Sequence, residues 1–129
     1  MQNIGIISGQ ILEGIKQARL LNIPTINIEI SVTENDEYEL EPGVWAGLTK
    51  YNDEIWASCL YIHEQYESKH KVEIHILNID NFSCELGSFI ECRCLHKVRS
   101  SMNFTNMTIE EIKNQLSDDK QNCINFFND

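Results

Sequence analysis

Lys71-Val72-Glu73-Ile74-His75-Ile76-Leu77 alternates polar and apolar residues from its first position to Ile76. A period of two puts Val72, Ile74 and Ile76 on one face and Glu73 and His75 on the other, the pattern of a strand with one side against a core. The same reading extends outward. Gly43 to Tyr51 carries Val44, Trp45, Leu48 and Tyr51; Asn52-Asp53 is a hairpin-type turn, and Ile55 to Ile62 is its partner strand. Ile4 to Leu12 is rich in isoleucine and interrupted by Gly5 and Gly9. Phe89 to Val98 reads as the last strand, with Phe89, Glu91, Arg93 and Leu95 on one side. The period then changes. Thr108-Ile109-Glu110-Glu111 fits a capping box, and Ile109, Ile112, Leu116, Cys123 and Phe127 recur at near-helical spacing. About six strands followed by one amphipathic helix predict a mainly β fold, a small barrel or sandwich closed by a helix.

The chain has 129 residues, the length of one domain, expected to span 1–129. Hydrophobic residues make up 42% and charged residues 23%, a composition that excludes a disordered chain. Twenty acidic residues face ten basic ones, for a net charge of −10. That balance argues against a nucleic-acid partner and against docking on anionic membrane. It leaves room for a phosphate-bearing small ligand, because a bound metal ion can supply positive charge. Much of the acidity sits in Glu29 to Glu41, which reads as a solvated loop closed by the turn Pro42-Gly43. The start has no basic region or cleavage signature of a secretory signal. With five cysteines and no CxxC pair, this predicts reduced thiols, cysteines used for packing, and a cytoplasmic location.

General catalytic motifs are missing: no phosphate-binding GxxxxGK[ST], no GxGxxG, no HExxH and no GxSxG occurs. The histidines are His63, His70, His75 and His96; His75 stands two residues from Glu73, with no third metal ligand at a convincing spacing. One segment goes further. Ile23-Pro24-Thr25-Ile26-Asn27 follows a rigid turn residue with a hydroxyl and an amide two positions apart, which share a face in an extended chain. Both are hard oxygen donors of the kind Mg²⁺ takes together with phosphate oxygens and water, although, taken alone, the segment fits an ordinary turn at a strand entry better.

These residues fall into a larger pattern. Gly9 to Asn27 reads G-x-x-x-x-G-x-x-x-x-R-x-L-x-I-P-T-x-N and resembles the opening of the riboflavin kinase (flavokinase) family, with its Pro-Thr-Ala-Asn segment after a glycine-rich stretch. Pro42-Gly43-Val44-Trp45-Ala46 resembles the family's P-x-G-V-Y strand start, and Val72 to Leu77 its E-x-H-I-L strand. Glu85-Leu86-Gly87 matches a D-x-Y-G turn loosely; Leu95, Arg99 and Phe104 fit an L-R-P-E-x-x-F stretch. The resemblance runs from about Ser8 to Asn125.

That resemblance implies a six-stranded Greek-key β-barrel with a C-terminal α-helix. It implies transfer of the γ-phosphoryl of ATP to the ribityl 5′-hydroxyl of riboflavin, giving FMN, with ATP as co-substrate and Mg²⁺ or another divalent metal. Thr25 and Asn27 match the metal-binding pair, and Glu73 the general base. Arg99 and Phe104 match the flavin side. Gly9, Gly14, Lys16 and Arg19 belong to the segment Gly9 to Asn22, which matches the flap over the nucleotide phosphates, and Pro24 is matched to the nucleotide side as well. A monomer handling riboflavin/FMN and ATP/ADP is expected, stopping at FMN because no adenylyltransferase domain precedes the barrel. The departures are local. Ala18-Arg19-Leu20-Leu21-Asn22 lacks two of the flap's glycines, Leu60 to Glu64 replaces an I-G-x-x-P stretch, and Ser100-Ser101 replaces Pro-Glu. They leave open a weakened or inactive flavin- or nucleotide-binding module on the same fold.

Overall fold

The computed structural model describes residues 5–12, 26–31, 41–64, 69–77 and 87–128. Within them lie β1 (Gly5–Leu12), β2 (Ile26–Ser31), β3 (Gly43–Tyr51), β4 (Glu54–Ile62), β5 (Lys69–Ile76), β6 (Phe89–Ser100) and the helix α1 (Ile109–Asn128). The strands are hydrogen-bonded in the closed order β1-β2-β5-β4-β3-β6, every neighbour antiparallel. Closure leaves no unpaired sheet edge among the described strands. The expected loop over 29–41 is corrected at its start: Glu29, Ile30 and Ser31 belong to β2 and pair with Lys71, His70 and Lys69.

The β3–β4 hairpin forms where the sequence places it. Asn52 and Asp53 have φ of 50° and 65°, and Tyr51 faces Glu54 across them. Asn and Asp tolerate this left-handed region better than other side chains, and two such residues give a turn matched to strand twist. The alternation of β5 also holds: Val72, Ile74 and Ile76 enter the barrel with Ile7, Leu60, Trp45 and Ile90. Each such aliphatic side chain removed from water contributes about 1.5–3 kcal/mol. Cys92 and Cys94 lie in the same interior, as small packing residues do. A short polar chain crosses that interior. Ser58 Oγ donates to Thr49 Oγ1 at 2.7 Å, and Thr49 Oγ1 lies 3.6 Å from Cys92 Sγ, so β4, β3 and β6 share a buried link.

Along β6 the simple alternation runs out. Pairing with β3 skips Leu95 and Val98: Gly47 faces Cys94, Ala46 faces His96, Trp45 faces Lys97 and Val44 faces Arg99. Each bulge flips the facing of the residues after it. His96 therefore turns outward and stacks on Phe126 of α1 with centroids 5.1 Å apart and planes 4° from parallel. Lys97 comes opposite Trp45, its Nζ 6.0 Å from the ring centroid and 2.9 Å from Glu41 Oε2.

Helix α1 starts at the predicted capping box: Glu111 N donates to Thr108 Oγ1 at 3.1 Å, and Thr108 N donates to Glu111 Oε1 at 2.9 Å. The bond from the Thr108 backbone holds the Glu111 carboxyl below its usual range. The helix lies outside the barrel, where Cys123 joins Val44, Ala46, Cys59 and Leu77 in a second buried cluster edged by Phe126 and Phe127. Ile109, expected on the apolar stripe, is instead 67% exposed at the first turn. The stripe runs Ile112, Asp119, Cys123, with a carboxylate in its middle. Asp119 is fully buried and paired by both oxygens: Arg99 Nε donates to Oδ1 at 2.8 Å and Arg99 Nη2 to Oδ2 at 2.7 Å, while Gln115 Nε2 adds a bond to Oδ1 at 2.9 Å.

Two groups in this packing have measurable effects on stability. Asp119→Ala leaves a largely buried guanidinium without its partner and is expected to cost about 3 kcal/mol, read as a lower urea midpoint, with Asp119→Asn costing less. His75 is held down to about 4, first by burial and then by Lys120. Between the ordinary histidine value and about 4, the unfolded chain binds a proton that the folded chain refuses. Stability from this site is present above the ordinary value and lost as pH falls toward 4; His75→Gln is expected to flatten that slope in thermal melts taken from pH 7 to 4.

Candidate active site

The register builds the site as one row around the barrel. Leu12 of β1 faces Asn27 of β2, and Asn27 faces Glu73 of β5. Glu73 faces Tyr61 of β4, Tyr61 faces Val44 of β3, and Val44 faces Arg99 of β6. Residues directly opposite one another share a face. Glu73 alternates with the core residues Val72 and Ile74, so the row from Glu73 to Arg99 lies on the outer face. Two residues distant in sequence, Glu73 and Arg99, thus come to the walls of one cleft of about 630 Å³. The cleft opens between the barrel and the segment entering α1, and Tyr61, His63, Phe104 and Leu116 also line it.

Glu73 is partly screened, with its side chain 14% exposed, and its Oε2 lies 3.2 Å from His63 Nε2. Arg99 is immobilised across the cleft. Besides its two bonds to Asp119, its Nη1 donates to Ser100 O at 3.0 Å, and its Cζ stands 5.9 Å from the Phe104 ring centroid. Burial alone would lower the Arg99 guanidinium, but its hydrogen bonds and charge pairing with Asp119 carry it above its ordinary value. Phe104 is placed by a compact turn in which Met107 N donates to Phe104 O at 3.0 Å and Thr105 N to Asn103 Oδ1 at 2.8 Å. Beneath them, burial raises the Tyr61 phenol, and hydrogen bonding to Cys123 together with burial raises Cys59. Both groups therefore stay neutral beside the ion pair.

Gly43 is needed at the floor. Its φ is +145°, and a Cβ there would run into the carbonyl oxygen of Arg99. Only glycine lets β3 pass this close to the residue that carries the guanidinium.

Of the residues singled out from sequence, Glu73, Arg99 and Phe104 line the cleft, and Asn27 is the register partner of Glu73. Gly9 stands on β1 opposite Ile90 and is not among the lining residues. Gly14, Lys16, Arg19, Pro24 and Thr25 lie outside the described residues. Sequence reasoning missed Tyr61, His63 and Asp119. For Asp119 a signal existed: a carboxylate interrupting the apolar stripe of a helix asks for a buried cation. For Tyr61 and His63 the signal was weaker, since they sit in the stretch that departs from the family pattern. Among the described residues, no group of three or more His, Cys, Asp or Glu gathers to hold a metal ion. Mg²⁺ carried with substrate phosphates needs no such cage.

Comparison with known proteins shows the family. The family model described as riboflavin kinase matches residues 3–127. The bifunctional riboflavin kinase/FMN adenylyltransferase of Bacillus subtilis (strain 168) is 28% identical over 126 residues, which cover 94% of this chain and 38% of that enzyme. The chain thus spans about two-fifths of the length of that curated relative. In fold, it is similar to a crystal structure of a macrolide-efflux protein from Streptococcus pneumoniae, with a TM-score of 0.70 at 15% identity over 90% of this chain and 37% of the other. With the match running over almost all of its length, the chain belongs to the riboflavin kinase family.

Proposed function

We propose that this protein transfers the γ-phosphoryl group of ATP to the ribityl 5′-hydroxyl of riboflavin, producing FMN and ADP. The observation that carries the reading is the pairing of Asn27 with Glu73 on neighbouring strands, in a row that ends at Arg99 on the same cleft. The strand order is read as the family's Greek-key barrel, with residues 1–129 as one domain acting as a cytoplasmic monomer, without nucleic-acid or membrane partners. No helix among the described residues is long and apolar enough to cross a membrane.

Phosphoryl transfer depends mainly on positioning and on neutralising charge. Thr25 and Asn27 are the residues that would hold Mg²⁺, and the ion supplies positive charge to the phosphates when bound. Gly9, Gly14, Lys16, Arg19 and Pro24 are assigned to the nucleotide side. Glu73 takes the proton of the ribityl hydroxyl as its oxygen bonds to the γ-phosphorus and the bond from that phosphorus to the ADP oxygen breaks; ADP departs, and Glu73 releases the proton to water. A carboxylate that is screened but not sealed can both reach a substrate hydroxyl and return its proton to water. Arg99, held rigid by Asp119, and Phe104 form the wall assigned to the flavin. Because the guanidinium geometry is fixed before any ligand arrives, little ordering remains for binding to impose.

Purified protein supplied with ATP, Mg²⁺ and riboflavin is expected to form FMN, detected by chromatography. Glu73→Gln should lower kcat by about 10²–10⁴-fold while leaving the thermal midpoint close to that of the parent. Full turnover in that variant would remove Glu73 from the chemistry. Riboflavin binding by fluorescence quenching, with no FMN formed under any divalent metal, would make the chain a binding module instead.

A further inference from the structure

The contact between His63 and Glu73 is absent from the family pattern as this sequence presents it. His63 lies in the stretch Leu60 to Glu64, where the chain departs from I-G-x-x-P. It is one residue beyond β4, and its backbone amide donates to Lys71 O at 3.0 Å, extending the β4–β5 pairing past the end of the strand. Since Tyr61 faces Glu73, His63 falls on the diagonal from Glu73 on the same face. Long side chains meet across that diagonal, and here Nε2 and Oε2 are 3.2 Å apart. The imidazole is 47% exposed and the carboxylate 14%, so the ring stands on the solvent side of the acid.

We propose that His63 is a positioning residue for Glu73: its Nε2–H holds Oε2 and leaves Oε1 to receive the substrate hydroxyl proton. The inference rests on the reading of Glu73 as base. An ionised carboxylate only accepts hydrogen bonds, so the nitrogen facing it carries the proton. A glutamate side chain has three rotatable torsions, and a donor carried on a backbone-paired residue restricts that freedom. Other charged groups near the pair are Lys71, opposite His63 and on the same face as Glu73, Glu64, which follows His63 and lines the cleft, and Arg99 on the opposite wall. Arg99 is already committed to Asp119, whereas the imidazole Nε2 stands 3.2 Å from Glu73 Oε2.

The test is steady-state FMN formation by the full chain, its His63→Ala, His63→Gln and Glu73→Ala variants, and the His63→Ala/Glu73→Ala double variant. His63→Ala is expected to lower kcat about tenfold with the riboflavin KM unchanged, because one hydrogen bond to a charged group is lost. His63→Gln, which keeps an N–H donor, should recover most of that loss. The double variant should be no slower than Glu73→Ala, since His63 acts only through the carboxylate. Equal rates for His63→Ala and the parent, or a further loss in the double variant, would overturn the proposal while leaving the kinase reading in place. A parent that forms no FMN would overturn both together.

Discussion

The fork of Arg99 on Asp119 is the interaction on which the rest of the arrangement depends. It joins the end of β6 to α1, and it does so with both groups largely out of water. Ion pairs at exposed surfaces contribute little. This one is different in kind: neither partner could be left alone there without a large desolvation cost, so the helix has one seating in which both charges are satisfied. The apolar contacts of Cys123, Phe126 and Phe127 supply attraction without much direction. The ion pair supplies the direction, and through it the cleft between barrel and helix acquires a fixed wall.

Much of the architecture was legible because period-two alternation is a strong signal when one face of a strand is buried. Lys71 to Ile76 is the plainest case, and the placement of Glu73 away from the core followed from it directly. The Asn52-Asp53 turn and the Thr108/Glu111 capping box were legible for a different reason: each is a local hydrogen-bonding or conformational preference that needs no tertiary context. The features that stayed hidden depend on partners far along the chain. The skips at Leu95 and Val98 arise because β6 must pair with β3 while its end swings toward α1, and no local feature of Phe89 to Ser100 announces them. Ile109 looked apolar and helical, yet the first turn projects beyond the barrel wall.

The candidate site was legible in part. Glu73, Arg99 and Phe104 were found through a family resemblance and do share a cleft. The resemblance gave no cause for their convergence. The cause is register: with β2, β5, β4, β3 and β6 aligned as they are, residues 27, 73, 61, 44 and 99 form one continuous row. Asp119 and His63 escaped notice because each acts on another site residue rather than on a ligand. Sequence motifs collect residues that touch substrate more readily than those that hold them.

The buried chain of Ser58, Thr49 and Cys92 has a consequence for how the barrel finds its pairing. Three strands must arrive with their small polar groups level, or the bond from Ser58 to Thr49 is lost, leaving Ser58 only the Trp56 carbonyl and setting Thr49 among Ile, Leu and Trp side chains. A slip of two residues between β3 and β4 would keep every apolar residue facing inward, so hydrophobic burial hardly distinguishes the slipped sheet from the correct one. The hydroxyls do distinguish them. They contribute little net stability to the folded barrel, but they raise the free energy of its nearest wrong neighbour. The lateral row that carries the cleft inherits its alignment from that discrimination, made on the opposite face of the same strands.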